Sequence, residues 1–346
     1  MSPQRTNLAR ARAAEGAPEP LAFALERLWP VIGIERDTPQ GRAMEAALLE
    51  PARSMLERGG KRFRGHLVEL CWQIAGGEGP CPETLPAIIE IIHAGTLIVD
   101  DIEDESTERR AAPTVHELFG VPLALNAGNW LYFWALDLLG DLQLPPAIEL
   151  DLHHRLGRML VQGHAGQALD LDADILRLPQ PAVAEHVEHM SRLKTGSFMS
   201  AAAGLGAAAA QAPAPVIAAV EHFGLALGGG LQMLDDLANL GAGRQGAKRY
   251  EDLRHGRANW PWAWMATQVE APDWAASMDH LRAVRVEERE AASLAEALLE
   301  RVGPFGRASV HALLAGAFDD LRAAIGPHPL LASFRSEIER LEASHA

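Results

Sequence analysis

Three aspartates, Asp100, Asp101 and Asp104, end an otherwise apolar stretch of the sequence. If the stretch is helical, Asp100 and Asp104 lie on one face, with Asp101 close beside them. Like charges at this spacing disfavour a helix, and the negative end of the helix dipole adds to the repulsion. Segments that break local rules in this way tend to be functional, and clustered carboxylate oxygens suit Mg²⁺. A solvated acidic helix end is the alternative interpretation.

A second segment repeats this pattern with Asp235, Asp236 and Asn239. An amide stands in the third place, and its oxygen can ligate Mg²⁺ without adding charge. Two apolar stretches that each end in oxygen ligands are harder to attribute to chance than one. We therefore expect both segments to bind metal ions together with phosphate groups.

Basic residues accompany these acidic segments. The stretch 59–64 reads Gly-Gly-Lys-Arg-Phe-Arg, so that flexible backbone precedes three cations at a predicted helix start, where phosphate binds readily. Arg109 and Arg110 follow the first aspartates by a few residues. Acids that hold a metal beside arginines that hold phosphate oxygens indicate a Mg²⁺–diphosphate substrate. Lys194 and Lys248 are weaker candidates, because an isolated lysine at a helix break is usually solvated.

The elements that must position these residues are helices. Apolar residues recur every three to four positions along most of the chain, and no segment alternates convincingly with period two. Proline in a first helical turn is a typical start signal, and the Ala- and Leu-rich composition favours helix. The sequence predicts an all-α protein, a large helical bundle with short connections. Predicted helices begin near Leu21, Gly41, Phe63, Pro82, Pro122, Pro145, Pro181, Pro213, Arg257, Pro272, Pro304 and Pro329.

Length and composition indicate one large domain. The 346 residues contain no linker-like run, so we expect a disordered tail over 1–20 and one domain over 21–346. The net charge of −15 argues against a nucleic-acid partner, which would need a basic face. Two cysteines without a C-x-x-C pattern argue against a zinc site and fit a reducing, cytoplasmic compartment.

Two uncharged stretches, 119–136 and 195–220, could be mistaken for membrane spans. The first contains a proline and two asparagines, and the second consists largely of alanine and glycine. Neither provides the roughly 20 strongly apolar residues that a span requires. We expect both to pack as helices within the bundle, and no membrane span.

In chain order, these segments resemble the trans-isoprenyl diphosphate synthase (polyprenyl synthetase) family from about Gly59 to Pro261. Their combination is highly specific, because several motifs occur together in the family's order. The matching residues are 59–64, His93, 100–104, Arg109, Arg110, Pro113, Thr114, His116, Gly166, Gln167, Asp170, Lys194, Thr195, Gln232, Asp235 and Asp236.

The resemblance implies an enzyme that joins isopentenyl diphosphate to an allylic diphosphate (dimethylallyl, geranyl or farnesyl diphosphate). It also implies a homodimer with about three Mg²⁺ ions in each site. The implied isopentenyl diphosphate ligands are Lys61, Arg64, His93 and Arg110. The implied metal ligands are Asp100, Asp104, Asp235 and Asn239, with Asp101 counted among the catalytic aspartates. On the allylic side, Arg109, Lys194 and Lys248 would contact the diphosphate, while Thr195 and Gln232 would direct dipoles at the allylic cation.

The chain departs from the family's pattern at several positions. The departures are Asn239 for a usual Asp, a shortened loop over 241–252, Arg257 for a common Lys, Ala111 for a Gly and Asn129 for an Asp. These departures bear on metal affinity and on the lid over the site, whereas the isopentenyl diphosphate residues match the family.

Three other functions remain open from the sequence. A terpene cyclase on the same scaffold would need a Ser or Thr at Asn239 and a Glu at Gly243, and would not use the basic stretch 59–64. A non-catalytic synthase subunit should have lost the first aspartates. A helical phosphohydrolase would need several histidines beside the aspartates, and the pair His153-His154 has no acidic partner at a ligand spacing.

The expected product follows from positions one and two turns before Asp100. By the family's pattern, Ile92, Gly95 and Thr96 would line a channel for the allylic tail, and bulky residues there would stop growth at a fifteen-carbon chain. Since Gly95 and Thr96 are small, we expect a twenty-carbon product, geranylgeranyl diphosphate, with farnesyl diphosphate next. Gly95→Phe should then shorten the product. The aromatic residues expected to stop growth are Trp130, Tyr132, Phe133 and Trp134.

Overall fold

The structure is a computed structural model that describes residues 28–59, 62–241, 250–287 and 289–343. Within these ranges the chain is helical except for short connections and one two-stranded hairpin, which confirms the predicted all-α class. The hairpin consists of β1 (Glu108–Arg109) and β2 (Ala112–Pro113). The helices are α1 (Leu28–Ile32), α2 (Pro39–Met44), α3 (Glu50–Leu56), α4 (Phe63–Ile74), α5 (Thr84–Glu103), α6 (Val115–Phe119), α7 (Val121–Asp137), α8 (Pro146–Asp172), α9 (Gln180–Ser191), α10 (Ser197–Ala209), α11 (Ala214–Leu240), α12 (Glu251–His255), α13 (Trp260–Gln268), α14 (Ala271–Val286), α15 (Glu290–Ile325) and α16 (Pro329–Ala343).

The chain forms two compact units. Among the described residues, the first comprises 28–59, 62–69 and Gly79–His153, and the second comprises Leu70–Glu78 together with the described residues from His154 on. The expectation of one domain over 21–346 stays a prediction.

The core of the first unit is built around α5, which packs against α7 and α3. Isoleucines spaced along α5 are fully buried, so most of the circumference of this helix is covered. A helix that is apolar on nearly all sides must be central. This burial fixes α5 and with it the aspartates at its end. The fully buried isoleucines are Ile88, Ile89, Ile91, Ile92 and Ile98.

The core of the second unit lies where α11 packs against α10 and α15. Phe223 of α11 meets Phe334 of α16 edge to face with ring centroids 5.0 Å apart, and Phe318 of α15 completes the cluster. By length and composition alone, α11 is the one helix within the described ranges that could cross a membrane. Its last turns carry Asp235 and Asp236. The absence of a span stays a prediction.

Two expectations about the elements need correction. The predicted helix start at Pro304 is wrong, because Pro304 lies inside α15. Proline removes one backbone hydrogen bond from a helix, but α15 continues since residues on both sides of Pro304, including Val302 and Val310, are buried. The sequence also predicted no strands, and strands of two residues are too short to produce an alternating pattern.

The hairpin turn between β1 and β2 has unusual backbone geometry. Arg110 and Ala111 have φ angles of 54° and 57°, the left-handed values that a type I′ turn requires. Glycine and asparagine favour these values, whereas an alanine β-carbon collides with the backbone there. The hairpin therefore holds strain at Ala111.

Ala111→Gly should stabilise the protein by about 0.5–1 kcal/mol, because relief of the left-handed strain outweighs the larger unfolded-state entropy of glycine. The shift of the urea midpoint measures this effect. Ala112→Gly is the matched control, since Ala112 pairs with Arg109 in the ladder at an ordinary φ and should lose stability. Equal losses in the two variants would contradict the strain at Ala111.

Candidate functional site

The first candidate centre lies at the end of α5 in the first unit. Asp100 and Asp104 are half-buried, and Asp104 closes the helix by donating its backbone N–H to the carbonyl of Asp100 at 2.9 Å. The Asp101 side chain is only 1% exposed. Two of the three aspartates therefore reach solvent, and the third is part of the core.

Arg109 lies across two of these aspartates. Its Nε and Nη2 atoms approach Asp101 Oδ1 at 2.8 and 2.6 Å, and Nη2 also lies 3.2 Å from Asp100 Oδ2. Burial works against the charge of Arg109, but the hydrogen bond and charge of Asp101, with the charges of Asp100 and Asp104, outweigh it and raise the pKa of this guanidinium. Arg109 thus neutralises part of the repulsion that the sequence pattern implied.

Basic side chains predicted to bind isopentenyl diphosphate come together around His93. Burial lowers the pKa of His93 well below its usual value, and the nearby charges of Arg64, Arg110 and Arg109 lower it further. His93 is therefore neutral at neutral pH and can donate one ring N–H to an anion. The fourth predicted residue, Lys61, lies outside the described residues.

Hydrogen bonds to neighbouring segments hold this basic cluster. The backbone N–H of Gly65, in the first turn of α4, donates to Glu90 Oε1 on α5 at 2.8 Å. This bond fixes the start of α4, which carries Arg64. The Arg110 guanidinium donates to the carbonyl of Gly59. Burial and the charge of Arg109 lower the pKa of Arg110, although the charges of Glu90 and Asp101 oppose them.

The second candidate centre, in the second unit, begins with a π-helical turn over Arg192–Gly196 that carries Lys194 and Thr195. Such turns occur frequently at functional sites. Neighbouring helices approach this turn closely at glycines. A β-carbon on Gly166 of α8 would overlap the backbone of Lys194, and one on Gly228 of α11 would lie 2.7 Å from the Thr195 carbonyl oxygen.

From this turn, Lys194 reaches Asp170, which matches the family's motif but was not among the predicted site residues. Lys194 Nζ lies 2.7 Å from Asp170 Oδ2, and Arg257 Nη1 lies 3.2 Å from the same oxygen. Asp170 is nearly buried, so two cations compensate one carboxylate in a poorly solvated place. The motif position of Asp170 was the available signal, whereas nothing local marks the contact with Arg257, which lies 87 residues away.

Thr195 and Gln232, both predicted to act on the allylic cation, are hydrogen-bonded to each other. Thr195 Oγ1 donates to Gln232 Oε1 at 2.7 Å, and Gln232 Nε2 donates to Asp236 Oδ1 at 2.8 Å. The second oxygen of Asp236 accepts the backbone N–H of Trp260, at the start of α13, at 3.0 Å. Burial and the charge of Asp252 raise the pKa of Asp236 well above its usual value. Asp236 therefore fixes Gln232 and α13 in place.

Asp235 and Asn239 remain as candidate metal ligands of this centre. Asp235 is exposed, whereas Asn239 is 4% exposed, and its Oδ1 atom has no hydrogen-bond partner in the described part of the chain. A buried amide oxygen without a partner costs about 1–3 kcal/mol, which a cation could offset. The oxygen ligands present at both centres fit Mg²⁺. Among the described residues, no group of three or more His, Cys, Asp and Glu side chains is arranged to hold a metal without other ligands.

Asp252 and Asn259 also belong to this centre and escaped the sequence analysis. Asn259 Nδ2 donates to Asp252 Oδ2 at 3.1 Å, and the Asn259 Oδ1 atom has no partner within the described ranges. Burial raises the pKa of Asp252 to about 6, against the effects of Asn259 and Arg257. In the sequence, Asp252 stands beside another acidic residue, Glu251, and nothing indicated that it is buried. Lys248, the remaining predicted cation, lies outside the described residues.

The predicted chain-length residues are packed tightly against neighbours. Ile92 is fully buried, and Thr96 Oγ1 donates to the His93 carbonyl at 2.8 Å. Gly95 faces α7, where a β-carbon would lie 2.8 Å from the Gly128 carbonyl oxygen and 2.9 Å from the Tyr132 ring. The expected use of Gly95→Phe needs correction, because this substitution would first disrupt the contact of α5 with α7.

The aromatic residues on α7 differ among themselves. Trp134 is buried and stacks on Trp130, with ring centroids 5.0 Å apart. Tyr132 is also buried, and burial followed by the charges of Glu103 and Asp100 raises its pKa. Phe133 is 70% exposed, so it is unsuited to limiting a channel within this unit.

This chain is similar to known proteins in both sequence and fold. Geranylgeranyl diphosphate synthase of Sulfolobus acidocaldarius is 31% identical over 215 residues, which are 61% of this chain and 64% of that protein. The chain thus matches less than two thirds of the length of this curated relative. A decaprenyl diphosphate synthase from Rhodobacter capsulatus has the same fold, with a TM-score of 0.75 at 23% identity over 99% of both chains.

A polyprenyl synthase from Caulobacter crescentus, solved with calcium and isoprenyl diphosphate, also has this fold. Its TM-score is 0.72 at 22% identity, over 99% of this chain and 96% of that chain. A family model, described as polyprenyl synthetase, matches residues 45–298. Because this match covers well over half of the sequence, and because the motifs at both centres agree with it, the chain belongs to the polyprenyl synthetase family.

Proposed function

We propose that this chain is a trans-prenyltransferase that condenses isopentenyl diphosphate with an allylic diphosphate. The observation that carries the proposal is the basic cluster of Arg64, Arg110 and neutral His93 in the same unit as Asp100 and Asp104. A cationic phosphate site beside carboxylates that can bind metal fits two diphosphates, one of them metal-bound. A terpene cyclase has no second diphosphate for such a cluster.

The basic cluster would bind isopentenyl diphosphate. Arginine guanidinium groups match phosphate oxygens in pairs, and Arg64 and Arg110 would supply them together with Lys61. His93 would donate its single ring N–H, since burial and three arginines keep it uncharged. This set holds a diphosphate without metal, which leaves the carboxylates for the allylic substrate.

The carboxylates would hold the metal. In the first unit Asp100 and Asp104, and in the second unit Asp235 with the amide oxygen of Asn239, would ligate Mg²⁺, about three ions in all. Bound Mg²⁺ would neutralise the charge that develops on the diphosphate as the allylic C–O bond breaks. The Caulobacter crescentus neighbour, solved with calcium and isoprenyl diphosphate, supports a divalent metal in this role.

The remaining residues would guide the carbon chemistry. Lys194, which is paired with Asp170 in the structure, would also attract the departing diphosphate. The oxygens of Thr195 and Gln232 would stabilise the allylic cation. The isopentenyl double bond then forms the new C–C bond, and a proton leaves the condensed product for the released pyrophosphate.

We propose geranylgeranyl diphosphate as the product, formed by stepwise growth from dimethylallyl, geranyl or farnesyl diphosphate. The name of the Sulfolobus acidocaldarius relative supports this length. The small side chain of Thr96, which lies one turn before Asp100 on α5, adds a second reason.

We also propose a cytoplasmic location, because both cysteines are free thiols. Cys71 and Cys81 are both free thiols. Burial raises the pKa of each to about 12, so both are protonated and unreactive at neutral pH. Free cysteines are usual in a reducing compartment.

A homodimer is proposed on the exposed apolar side chains of α7. Val121, Leu125 and Phe133 lie four or eight residues apart and are all exposed. Apolar side chains at this spacing form one stripe on a helix, and such a stripe favours burial against a partner. A second copy of the chain would provide an identical stripe.

With Mg²⁺, isopentenyl diphosphate and farnesyl diphosphate, the purified chain should form geranylgeranyl diphosphate. Asp100→Ala, Asp104→Ala and Asp235→Ala should each lower turnover by about 100-fold or more, because each removes a metal ligand. Chromatography of the dephosphorylated products with mass detection measures both length and rate.

Asp172→Ala is the matched control, since the Asp172 side chain is 93% exposed on the same kind of helix end. Near-normal turnover in Asp100→Ala would contradict the metal assignment. Conversion of the allylic diphosphate to a hydrocarbon without isopentenyl diphosphate would indicate a cyclase instead.

Asn239→Asp should lower the Mg²⁺ concentration needed for half-maximal rate, because a carboxylate replaces a neutral ligand. Without Mg²⁺ the same variant should melt at a lower temperature than wild type, since the new charge is buried near Asp235. Thermal melts across a Mg²⁺ titration measure this change without turnover. Gln268→Glu, which makes the same amide-to-carboxylate change at the exposed end of α13, is the control. An Asn239→Asp titration identical to that of wild type would remove Asn239 from the metal site.

Phe133→Glu should convert the dimer to a monomer, because it places a charge in the proposed stripe. Light scattering should give twice the chain mass of 37.3 kDa for wild type and the single mass for the variant. Phe305→Glu, at another half-exposed phenylalanine, should leave the dimer intact. A wild-type protein at the monomer mass would rule out the homodimer.

A further inference from the structure

Arg58 ties the end of α3 to the arginine hairpin. Its Nε and Nη2 atoms donate to the carbonyl and hydroxyl oxygens of Ser54, one turn earlier, at 2.8 and 3.2 Å. These bonds hold the guanidinium in one orientation. Its Nη1 atom donates to the backbone carbonyl of Arg109, 51 residues later in the sequence, at 3.3 Å.

A second bond runs in the opposite direction between the same two segments. Arg110 donates from its side chain to the carbonyl of Gly59. Consecutive residues, Arg58 and Gly59, are thus joined to consecutive residues of the hairpin, and each bond uses an arginine side chain and a backbone carbonyl. The pair of bonds fixes both position and direction of the turn.

The hairpin needs such an anchor. Its strands are two residues each, and a two-stranded hairpin is only marginally stable by itself. Its turn residues, Arg110 and Ala111, are held at left-handed φ angles, which persist when the surroundings enforce them. The Arg109 side chain is secured by Asp100 and Asp101, but the turn beyond it is secured through the segment that ends α3.

We propose that Arg58 is a positioning residue for the isopentenyl diphosphate site. By holding the Arg109 backbone, it presents Arg110 beside Arg64 and His93 without itself touching the substrate. The proposal rests on the proposed function, since it assigns the effect to that substrate. The aspartates proposed to bind metal keep their own contact with the Arg109 side chain, so the KM for the allylic substrate should change little.

Arg58→Ala should raise the KM for isopentenyl diphosphate about tenfold, while kcat and the KM for farnesyl diphosphate change less than about threefold. Arg58→Lys should not restore the wild-type KM, because an ammonium group cannot bond Ser54 and Arg109 together as the planar guanidinium does. Ser54→Ala, which removes one of the bonds, should give a smaller effect in the same direction. Arg53→Ala is the matched control, because Arg53 lies on α3 next to Ser54 and pairs with Glu45 and Glu57.

Hydrogen exchange of the 107–114 backbone provides a readout that does not depend on turnover. Exchange there should be faster in Arg58→Ala than in Arg53→Ala. Equal rises in both KM values, full rescue by Arg58→Lys or unchanged exchange would each overturn the proposal. A wild-type chain that does not use isopentenyl diphosphate would refute the proposed function and the substrate assignment, whereas exchange would still decide whether Arg58 anchors the hairpin.

Discussion

The carboxylates at the end of α5 can lie together because a cation lies among them. Without Arg109, Asp100 and Asp101 would repel each other at the negative end of the helix dipole, and the buried Asp101 would carry an uncompensated charge. The second unit solves the same problem with Lys194 and Arg257 on Asp170. In both cases the compensating cations lie outside the helix that carries the carboxylates. The acidic centres and the fold around them are therefore stable only together.

The same pairing explains how a centre can be stable and still receive a charged substrate. Arg109 is bonded to Asp100, one of the proposed metal ligands, and a metal ion bound to Asp100 would repel it. An arriving diphosphate would then offer Arg109 a new anionic partner. The exchange costs little, because every charge is compensated before and after it.

The sequence was sufficient to predict the all-α class and the position of both acidic segments near helix ends. Helical periodicity is a local property, and like charges at Asp100 and Asp104 violate a local rule, so each leaves a signal in the sequence. The contact of Asp170 with Arg257 leaves none, because it depends on how segments 87 residues apart pack. The contact of Asp252 with Asn259 spans only seven residues, but no regular pattern in the sequence marks it. Gly95 shows the same limit, since its small size indicated an open channel while the structure uses it for the contact with α7. The Arg110–Ala111 turn was equally hidden, because glycine and asparagine are the usual indicators of such turns.

The π turn at Lys194 indicates how this part of the chain tolerates length changes. A π turn holds one more residue than the α-helix would, while the helices on either side stay in phase. If the π turn became regular α-helix with all its residues retained, α10 would rotate by about 100° about its axis. Nearly every residue of α10 is buried, so the packing of this helix forbids the rotation. Deletion of one residue within 192–196 would instead leave α9 and α10 facing their present neighbours. The bundle would then keep its packing but lose the π turn, and with it the displacement that brings Lys194 to Asp170. Deletion of one residue would therefore abolish this ion pair while preserving the fold of the unit.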